Sequence, residues 1–236
     1  MAGRLYLCPV PISTRPHRES IPQYNCELMH ELQIFFVEKK RTAIRFIKQL
    51  CPGKNLNDCE FVEIGKRIDD EEVTEAIAKV EKGTNAGLLS EAGCPSIADP
   101  GRFVVNIAHK KGIRVIPLVG PSSILLALMA SGQDGQHFAF EGYLPRDKEE
   151  LKRKIKEIAK RISTTGVAHI FIETPYRNQR LFESILLYAP DQHLLTVASD
   201  ISGDDEYIDS KPIYLWRKQK LSLPELPTIF IFGKNI

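Results

Sequence analysis

The chain of 236 residues has few cysteines, no long apolar run and no excess of charge of one sign. Its five cysteines form no CxxC pair and show no metal-ligand spacing with histidine, so we expect reduced thiols and no metal site. The most apolar run, Ser123–Ala130, is far shorter than the roughly 20 residues that cross a bilayer, and the N-terminus does not resemble a signal peptide. These absences predict a cytoplasmic protein with no membrane segment.

Two common nucleotide-binding motifs are also missing. No GxGxxG turn is present, which argues against a Rossmann dinucleotide site, and no GxxxxGK[ST] sequence is present, which excludes a P-loop. The formal net charge of +2 is no nucleic-acid signature by itself. Any RNA binding would therefore require a local basic patch.

The first half of the chain alternates strand-like and helix-like segments. Runs rich in β-branched and aromatic residues predict strands at Leu5–Cys8, Ile34–Val37, Phe61–Ile64, Gly87–Ser90 and Ile113–Val119. Apolar residues at helical spacing predict helices at Thr42–Leu50, Asp69–Lys82 and Arg102–Lys111. This alternation is typical of a mainly parallel sheet covered by helices.

The second half has more consecutive strands and fewer helices. Strands are predicted at HFAFEGYL, Val167–Ile172, Leu194–Ala198, a hairpin-like EYIDSKPIYLW and TIFIFG. Helices are predicted at Ser122–Ala130, Asp147–Ile162 and Asn178–Leu187. This order favours a mixed sheet with antiparallel pairs. We therefore predict an α/β protein of two domains, residues 1–118 and residues 119–236.

The segment GLLSEAGCPSIADPG, residues 87–101, connects a predicted strand to a predicted helix. Ligands of open α/β sheets bind beyond the carboxyl ends of strands, where this loop lies. Gly93 would let the backbone approach a ligand closely, and Pro95 and Pro100 fix the course of the loop. The alternative is a plain connecting loop in which Asp99 and Pro100 only start the next helix.

Three further strand ends carry polar residues or proline. In VGPSS, Ser122 or Ser123 would cap an apolar helix and could bind polar ligand groups, although an ordinary N-cap explains the pair more simply. In LYLCPVP, Pro11 helps to keep the following loop extended. After the strand VAHIFIE, Glu173 and Arg177 form a charged pair that suggests a site, with an internal ion pair as the alternative.

Together these segments resemble the tetrapyrrole methylase superfamily, the class III S-adenosylmethionine-dependent methyltransferases. The resemblance rests on LYLCPVPI, LLSEAGCPSIADPG, GIRVIPLVGPSSILLALMASG, FEGYLP and FIETPYR, which follow the family's order over nearly the whole chain. Within the superfamily, the chain is most similar to the branch that methylates ribose 2′-hydroxyls of bacterial small-subunit ribosomal RNA. The resemblance implies two α/β domains with the cofactor between them, commonly in a homodimer, and no metal.

The resemblance also implies which residues contact S-adenosylmethionine and its product S-adenosylhomocysteine. At positions that match the family's motifs, the predicted contacts are Pro11, Ala92, Gly93, Cys94, Ile97, Ser122, Ser123, Glu173, Pro227 and Thr228, with Ile201 as a further neighbour. Pro227 and Thr228 would approach the adenine.

A ribose hydroxyl is a poor nucleophile, so we expect a general base. Glu38, Glu91 or Glu173 is predicted to supply it, because each follows a predicted strand at the same crevice. Arg41 or Arg177 would orient the substrate or a phosphate. The branch's usual Ala-Glu-Asp-Thr-Arg stretch reads VEKKR here, and Glu91 replaces the usual Asp, which leaves the substrate open.

Three functions therefore remain: an RNA ribose methyltransferase, a methylase of a tetrapyrrole or similar small molecule, and a non-catalytic S-adenosylmethionine-binding module. For RNA, the best patch is Arg146–Arg161, which has eight basic and four acidic residues. Its opposite charges are spaced four residues apart, in the pairs Glu149–Arg153, Glu150–Lys154 and Glu157–Arg161. That spacing makes an ordinary solvated helix face the favoured explanation.

Overall fold

The computed structural model of the chain describes residues 2–65 and 71–235. The chain divides into two compact units, Met1–Ser122 and Ser123–Ile236. The predicted domain boundary, between residues 118 and 119, falls a few residues before this division and stays a prediction. The predicted helix at Asp69–Lys82 begins with two residues that lie outside the described part of the chain.

In its described residues, 2–65 and 71–122, the first unit contains a five-stranded sheet and four α-helices. Its strands are β1 (Arg4–Cys8), β2 (Ile34–Val37), β3 (Glu60–Glu63), β4 (Ala86–Leu89) and β5 (Arg114–Pro117). Its helices are α1 (Gln23–Glu31), α2 (Lys40–Leu50), α3 (Glu71–Glu81) and α4 (Arg102–Lys110). The strand order is β3-β2-β4-β1-β5 and every pairing is parallel, which confirms the predicted parallel sheet.

Strands β2 and β4 are buried along their whole length. Alternate residues of a strand point to opposite faces, and the two faces of this sheet pack into separate hydrophobic clusters. Phe35 and Leu89 belong to one cluster, whereas Phe36 and Leu88 belong to the other. Helices therefore cover both faces, as the continuous apolar runs predict.

Helix α1 is not predicted by the sequence patterns. It carries the buried polar residue Asn25, whose Nδ2 donates to the carbonyl oxygen of Val119 at 2.9 Å. Because a polar side chain occupies a core position, the apolar periodicity of this segment is broken. Asn25 thereby links α1 to the loop after β5.

The second unit contains a second five-stranded sheet. Its strands are β6 (Phe138–Tyr143), β7 (Ala168–Glu173), β8 (Leu194–Ser199), β9 (Tyr207–Pro212) and β10 (Thr228–Gly233). Its helices are α5 (Ser123–Ser131), α6 (Lys148–Thr165), α7 (Asn178–Tyr188) and α8 (Ile213–Trp216). The order is β6-β7-β10-β8-β9; β6 and β7 are parallel and the other pairs are antiparallel, so the predicted mixed sheet is confirmed.

The predicted hairpin in EYIDSKPIYLW is wrong. Only its first half is a strand, β9, which pairs with β8. Pro212 has no N–H to continue the ladder, and the chain turns there into the single helical turn α8. In that turn Trp216 is completely buried, and Nε1 of Trp216 donates a hydrogen bond to the carbonyl oxygen of Leu195 at 2.8 Å. Trp216 therefore packs in the core from a helical turn and is not part of a second hairpin strand.

Among residues 2–65 and 71–235, no helix has both the length and the apolar character needed to cross a membrane.

Candidate functional site

Three loops of the first unit lie at one edge of its sheet, because β4, β1 and β5 are parallel neighbours. Val10, after β1, and Gly93, after β4, exchange two backbone hydrogen bonds of 3.0 and 3.1 Å. The thiol of Cys94 donates to the carbonyl oxygen of Pro121, after β5, at 3.3 Å. The segments that the sequence analysis singled out at these three strand ends are therefore in direct contact.

Two glycines allow this close approach. Gly93 has a φ of +69°, and a Cβ there would lie 3.2 Å from Ile12 Cγ2 and 3.3 Å from the carbonyl oxygen of Pro121. A Cβ on Gly120 would lie only 2.3 Å from the Cβ of Pro9. The loops after β1 and β5 thus pack at a distance that only glycine permits.

The carboxylate of Asp99 organises the loop after β4. It accepts hydrogen bonds from the backbone N–H of Ser96 at 2.9 Å and of Gly101 at 2.7 Å. Burial raises the pKa of Asp99, although these two hydrogen bonds oppose the rise. Ser96 and Ala98 both have positive φ, so the loop is tightly wound. Asp99 accepts a hydrogen bond from Gly101, the residue before α4, as expected for a residue that starts this helix. It also accepts one from Ser96 within the loop, so it fixes the shape of the loop as well.

The predicted cofactor contacts in this loop differ in their exposure. Ala92 is exposed and Ile97 is 52% exposed, whereas Gly93 is buried. Cys94 is half-buried, and burial raises the pKa of its thiol. Pro11 is half-buried in the wall of the pocket described next.

A pocket of about 690 Å³ opens beside these loops. It is bounded by the loops after β1 and β4 and by α2, and its polar lining includes Ser13, Thr14, Arg15, Arg45, Gln49 and Glu91. Neither Arg15 nor Arg45 was predicted as a site residue. The signal for Arg45 was the composition of α2, KRTAIRFIKQL, which has basic residues and no acid.

Glu38 and Glu91 lie beside each other after β2 and β4. The backbone N–H of Glu91 donates to Glu38 Oε1 at 3.3 Å, and Lys39 Nζ lies 3.4 Å from Glu91 Oε2. Burial raises the pKa of Glu38, and the charges of Asp99 and Glu91 add to the rise, while the hydrogen bond from Glu91 and the charge of Lys39 oppose it. A carboxylate with a raised pKa is a stronger proton acceptor. Arg41, three residues after Glu38, is exposed on α2.

In the second unit, Glu173 and Arg177 form the internal ion pair that was the alternative interpretation. Arg177 Nη2 lies 3.0 Å from Glu173 Oε2, and the two side chains are only 14% and 1% exposed. The other oxygen of Glu173 accepts from the backbone N–H of Thr174 at 2.7 Å. Both charges at the end of β7 therefore have partners within the unit.

The predicted neighbours of the adenine lie together around the start of β10. Thr228 Oγ1 is 2.9 Å from Ser199 Oγ, and the carbonyl oxygen of Pro227 accepts from the backbone N–H of Asp200 at 2.9 Å. Ile201 follows directly and is buried. Sequence reasoning missed a fully buried residue here, Asn178, whose Nδ2 donates to Thr228 Oγ1 at 3.0 Å and whose Oδ1 has no partner in the described part of the chain.

The charged helix α6 satisfies many of its charges within its own unit. The predicted pair Glu157–Arg161 is present at 2.5 Å, but Lys154 pairs with Glu141 on β6 at 2.9 Å and not with Glu150. Burial raises the pKa of Glu141, but hydrogen bonds from Lys154 and from His169 hold it below its usual value. This arrangement fits the solvated face that the sequence favoured over an RNA-binding patch.

Within the described ranges, no group of three His, Cys, Asp or Glu side chains could hold a metal ion, and all five cysteines are free.

No family model matches the chain. Its sequence is 28% identical over 209 residues to ribosomal RNA small subunit methyltransferase I of Vibrio cholerae, which covers 89% of this chain and 68% of that protein. The protein of that name from Escherichia coli O157:H7 is 27% identical over 211 residues, 89% of this chain and 70% of its own length. That from Halalkalibacterium halodurans is 34% identical over 131 residues, 56% of this chain and 41% of its own length.

Solved structures share the fold. The methyltransferase CobJ has a TM-score of 0.64 at 14% identity and covers 99% of this chain and 95% of its own. Uroporphyrin-III C-methyltransferase from Thermus thermophilus, in complex with S-adenosyl homocysteine, has a TM-score of 0.55 at 16% identity and covers 98% and 97% of the two chains. The sequence relatives confirm the predicted resemblance, and the solved structures show that the fold is shared.

Proposed function

We propose that this chain, a methyltransferase of the tetrapyrrole methylase superfamily, uses S-adenosylmethionine to methylate a ribose 2′-hydroxyl of small-subunit ribosomal RNA. The observation that carries the proposal is the convergence of the loops after β1, β4 and β5 on Gly93. This junction is built from the segments on which the resemblance rests. The names of the sequence relatives support RNA as the acceptor.

The residues at this edge fit the cofactor. The loop from Ala92 to Ile97 offers peptide groups for an amino-acid moiety and the exposed side chains of Ala92 and Ile97 for the remainder, and the crowding around Gly93 restricts the shape of the loop. When bound, the cofactor supplies a methyl group on a positively charged sulfur. The proposed contacts are Pro11, Ala92, Gly93, Cys94, Ile97, Ser122, Ser123, Glu173, Ile201, Pro227 and Thr228.

Of the three predicted bases, we assign the role to Glu38. The carboxylate of Glu173 is held by Arg177, and that of Glu91 by Lys39, whereas burial raises the pKa of Glu38. Glu38 would accept the proton of the ribose hydroxyl, whose oxygen would take the methyl group as the bond between methyl carbon and sulfur breaks and S-adenosylhomocysteine leaves. The chain's other task is to align the reacting atoms and exclude water. Arg41 is the better orienting residue, because Arg177 is already paired.

The direct test offers tritiated S-adenosylmethionine to the purified chain with small ribosomal subunits or with a tetrapyrrole precursor. Label in RNA that mass spectrometry locates on a ribose 2′-oxygen supports the proposal. Label in the tetrapyrrole would refute the RNA proposal and favour a methylase of small molecules. Tight binding of S-adenosylhomocysteine without transfer to either acceptor would favour the non-catalytic module.

A matched pair of variants tests the cofactor site. Gly93→Ala and Gly112→Ala both place a Cβ at a positive φ, but a Cβ at Gly112 meets nothing within 4 Å. We expect Gly93→Ala to weaken S-adenosylhomocysteine binding about tenfold or more, since misplaced contacts cost on this scale, and Gly112→Ala to leave it unchanged. Isothermal titration calorimetry measures both. Equal effects would remove Gly93 from the proposed site.

We also propose a cytoplasmic homodimer. Helix α5 leaves the large apolar side chain of Met129 79% exposed, and a second copy of the chain would cover it. Sedimentation velocity should give twice the chain mass of 26.7 kDa, and Met129→Glu should shift the protein toward the monomer. A monomeric wild-type chain would refute the dimer. Fractionation of cells should place the protein with the ribosomes in the cytoplasm.

A further inference from the structure

Helix α2 borders two pockets of the first unit. Arg45 and Gln49 of this helix line the pocket of about 690 Å³. Lys40, Ile44 and Lys48 of the same helix line a second pocket of about 580 Å³. The second pocket is also lined by polar groups from Lys54, Asn55 and Asn57. A single helix therefore contributes basic side chains to both pockets.

The charges of α2 all have one sign. The helix has four basic residues, Lys40, Arg41, Arg45 and Lys48, and no acid. Arg41, Arg45 and Lys48 are exposed, and none of the three forms an ion pair with any residue of the described ranges. Helix α6, by contrast, contains acids and has ion pairs to Glu141, Glu149 and Glu157.

The three free cations lie on one face of α2. Arg41, Arg45 and Lys48 are spaced at i, i+4 and i+7, which places them in a single stripe. At a rise of 1.5 Å per residue the stripe spans about 10 Å, the length of about three stacked nucleotides at 3.4 Å each. Such a stripe is long enough to contact the phosphates of about three nucleotides.

The stripe also leads toward the proposed base. Glu38 lies two residues before α2, and Lys39, between them, pairs with Glu91 in the wall of the larger pocket. A strand lying along α2 would therefore pass close to the carboxylate of Glu38. Arg45 lines the same pocket as Glu91 and would hold a phosphate on that side.

We propose that the stripe of Arg41, Arg45 and Lys48 on α2 binds the phosphate backbone of the RNA strand that carries the methyl acceptor. This inference rests on the proposed function and adds the surface by which the RNA docks. It assigns docking to α2, which carries no acid, and not to α6, where Glu149, Glu150 and Glu157 lie among the cations.

The test compares two triple variants with the same loss of charge. The first is Arg41→Gln/Arg45→Gln/Lys48→Gln on α2, and the control is Arg153→Gln/Lys156→Gln/Lys160→Gln on α6; all six side chains are exposed. Affinity for a fragment of small-subunit ribosomal RNA is measured by filter binding at several salt concentrations. Calorimetry with S-adenosylhomocysteine shows whether each variant is folded and binds the cofactor.

We expect the α2 variant to bind RNA about 100-fold more weakly at 0.1 M salt, with a logarithmic salt slope reduced by about 2. The α6 variant should stay within about threefold of the wild type, as is usual for exposed surface charges. Unchanged RNA affinity of the α2 variant, or an equal loss in the α6 variant, would overturn the inference while leaving the methyltransferase proposal intact. A wild-type chain that neither binds nor methylates RNA would overturn both.

Discussion

The two units place charged residues at strand ends, but use them differently. In the first unit, glycines and backbone hydrogen bonds hold the loops together, and Glu38 forms no ion pair with the residues that the structure describes. In the second unit, contacts between side chains hold the strand ends together: Glu173 forms an ion pair with Arg177, and the hydroxyl of Thr228 is hydrogen-bonded to that of Ser199. A charged residue after a strand is therefore a candidate for chemistry only when the fold has not already supplied its partner.

The largest expected effect tests the structural role of the charges in the second unit. Arg177→Met would leave the carboxylate of Glu173 buried without a counter-charge, and breaking a buried ion pair in this way costs about 3–5 kcal/mol. Urea unfolding should show this loss of stability. The double variant Glu173→Gln/Arg177→Met removes both charges and should recover most of it. A loss below about 1 kcal/mol, the scale of an exposed pair, would contradict the comparison.

The next effect tests the backbone contacts of the first unit. Gly120→Ala would drive a Cβ into the ring of Pro9, and overpacking of this kind costs about 1–3 kcal/mol. Gly135→Ala in the second unit is the matched control, because a Cβ there meets nothing within 4 Å. Urea unfolding of both variants should show a clear loss for Gly120→Ala alone. Equal stabilities would mean that the loops after β1 and β5 separate easily.

Much of this fold could be predicted from local patterns. Buried runs such as Ile34–Val37 mark strands, and parallel topology then requires their carboxyl ends to meet at one edge. The patterns failed where one residue contradicts its neighbours. Helix α1 was not predicted because the buried residue Asn25 is polar and interrupts the apolar pattern. Trp216 was assigned to a strand because aromatic residues favour strands, although it lies in a helical turn.

The candidate site could be predicted only as a set of residues. Glu38 and Glu173 look alike in the sequence, as each is an acid that follows a buried strand. Their difference depends on which cation lies within reach, and that is set by side-chain geometry. Arg45 was missed for a similar reason, since helical spacing does not reveal which face of α2 borders a pocket.

The third prediction separates the two carboxylates by their chemistry. Glu38→Gln should lower the rate of methyl transfer to RNA about 100-fold, the lower end of the contribution of a general base. Binding of S-adenosylhomocysteine should change by less than about threefold, because the base acts on the acceptor and not on the cofactor. Single-turnover transfer and calorimetry measure the two quantities. Full activity of Glu38→Gln, together with loss of turnover in a folded Glu173→Gln variant, would reverse the assignment.

The smallest expected effect concerns the pH dependence of stability. Burial raises the pKa of Glu38 above its ordinary value of 4.5, so the folded chain holds this proton more tightly than the unfolded chain. The resulting stabilisation is complete below that value and is lost as the pH rises through the raised pKa. Relative to Glu38→Gln, the wild type should therefore lose stability between pH 4.5 and neutral pH, and the loss should be small because the side chain is only half-buried. Urea unfolding of both proteins across this range measures the difference. A wild type that gains stability relative to the variant would show that Lys39 outweighs burial, and Glu38 would then resemble the neutralised Glu173.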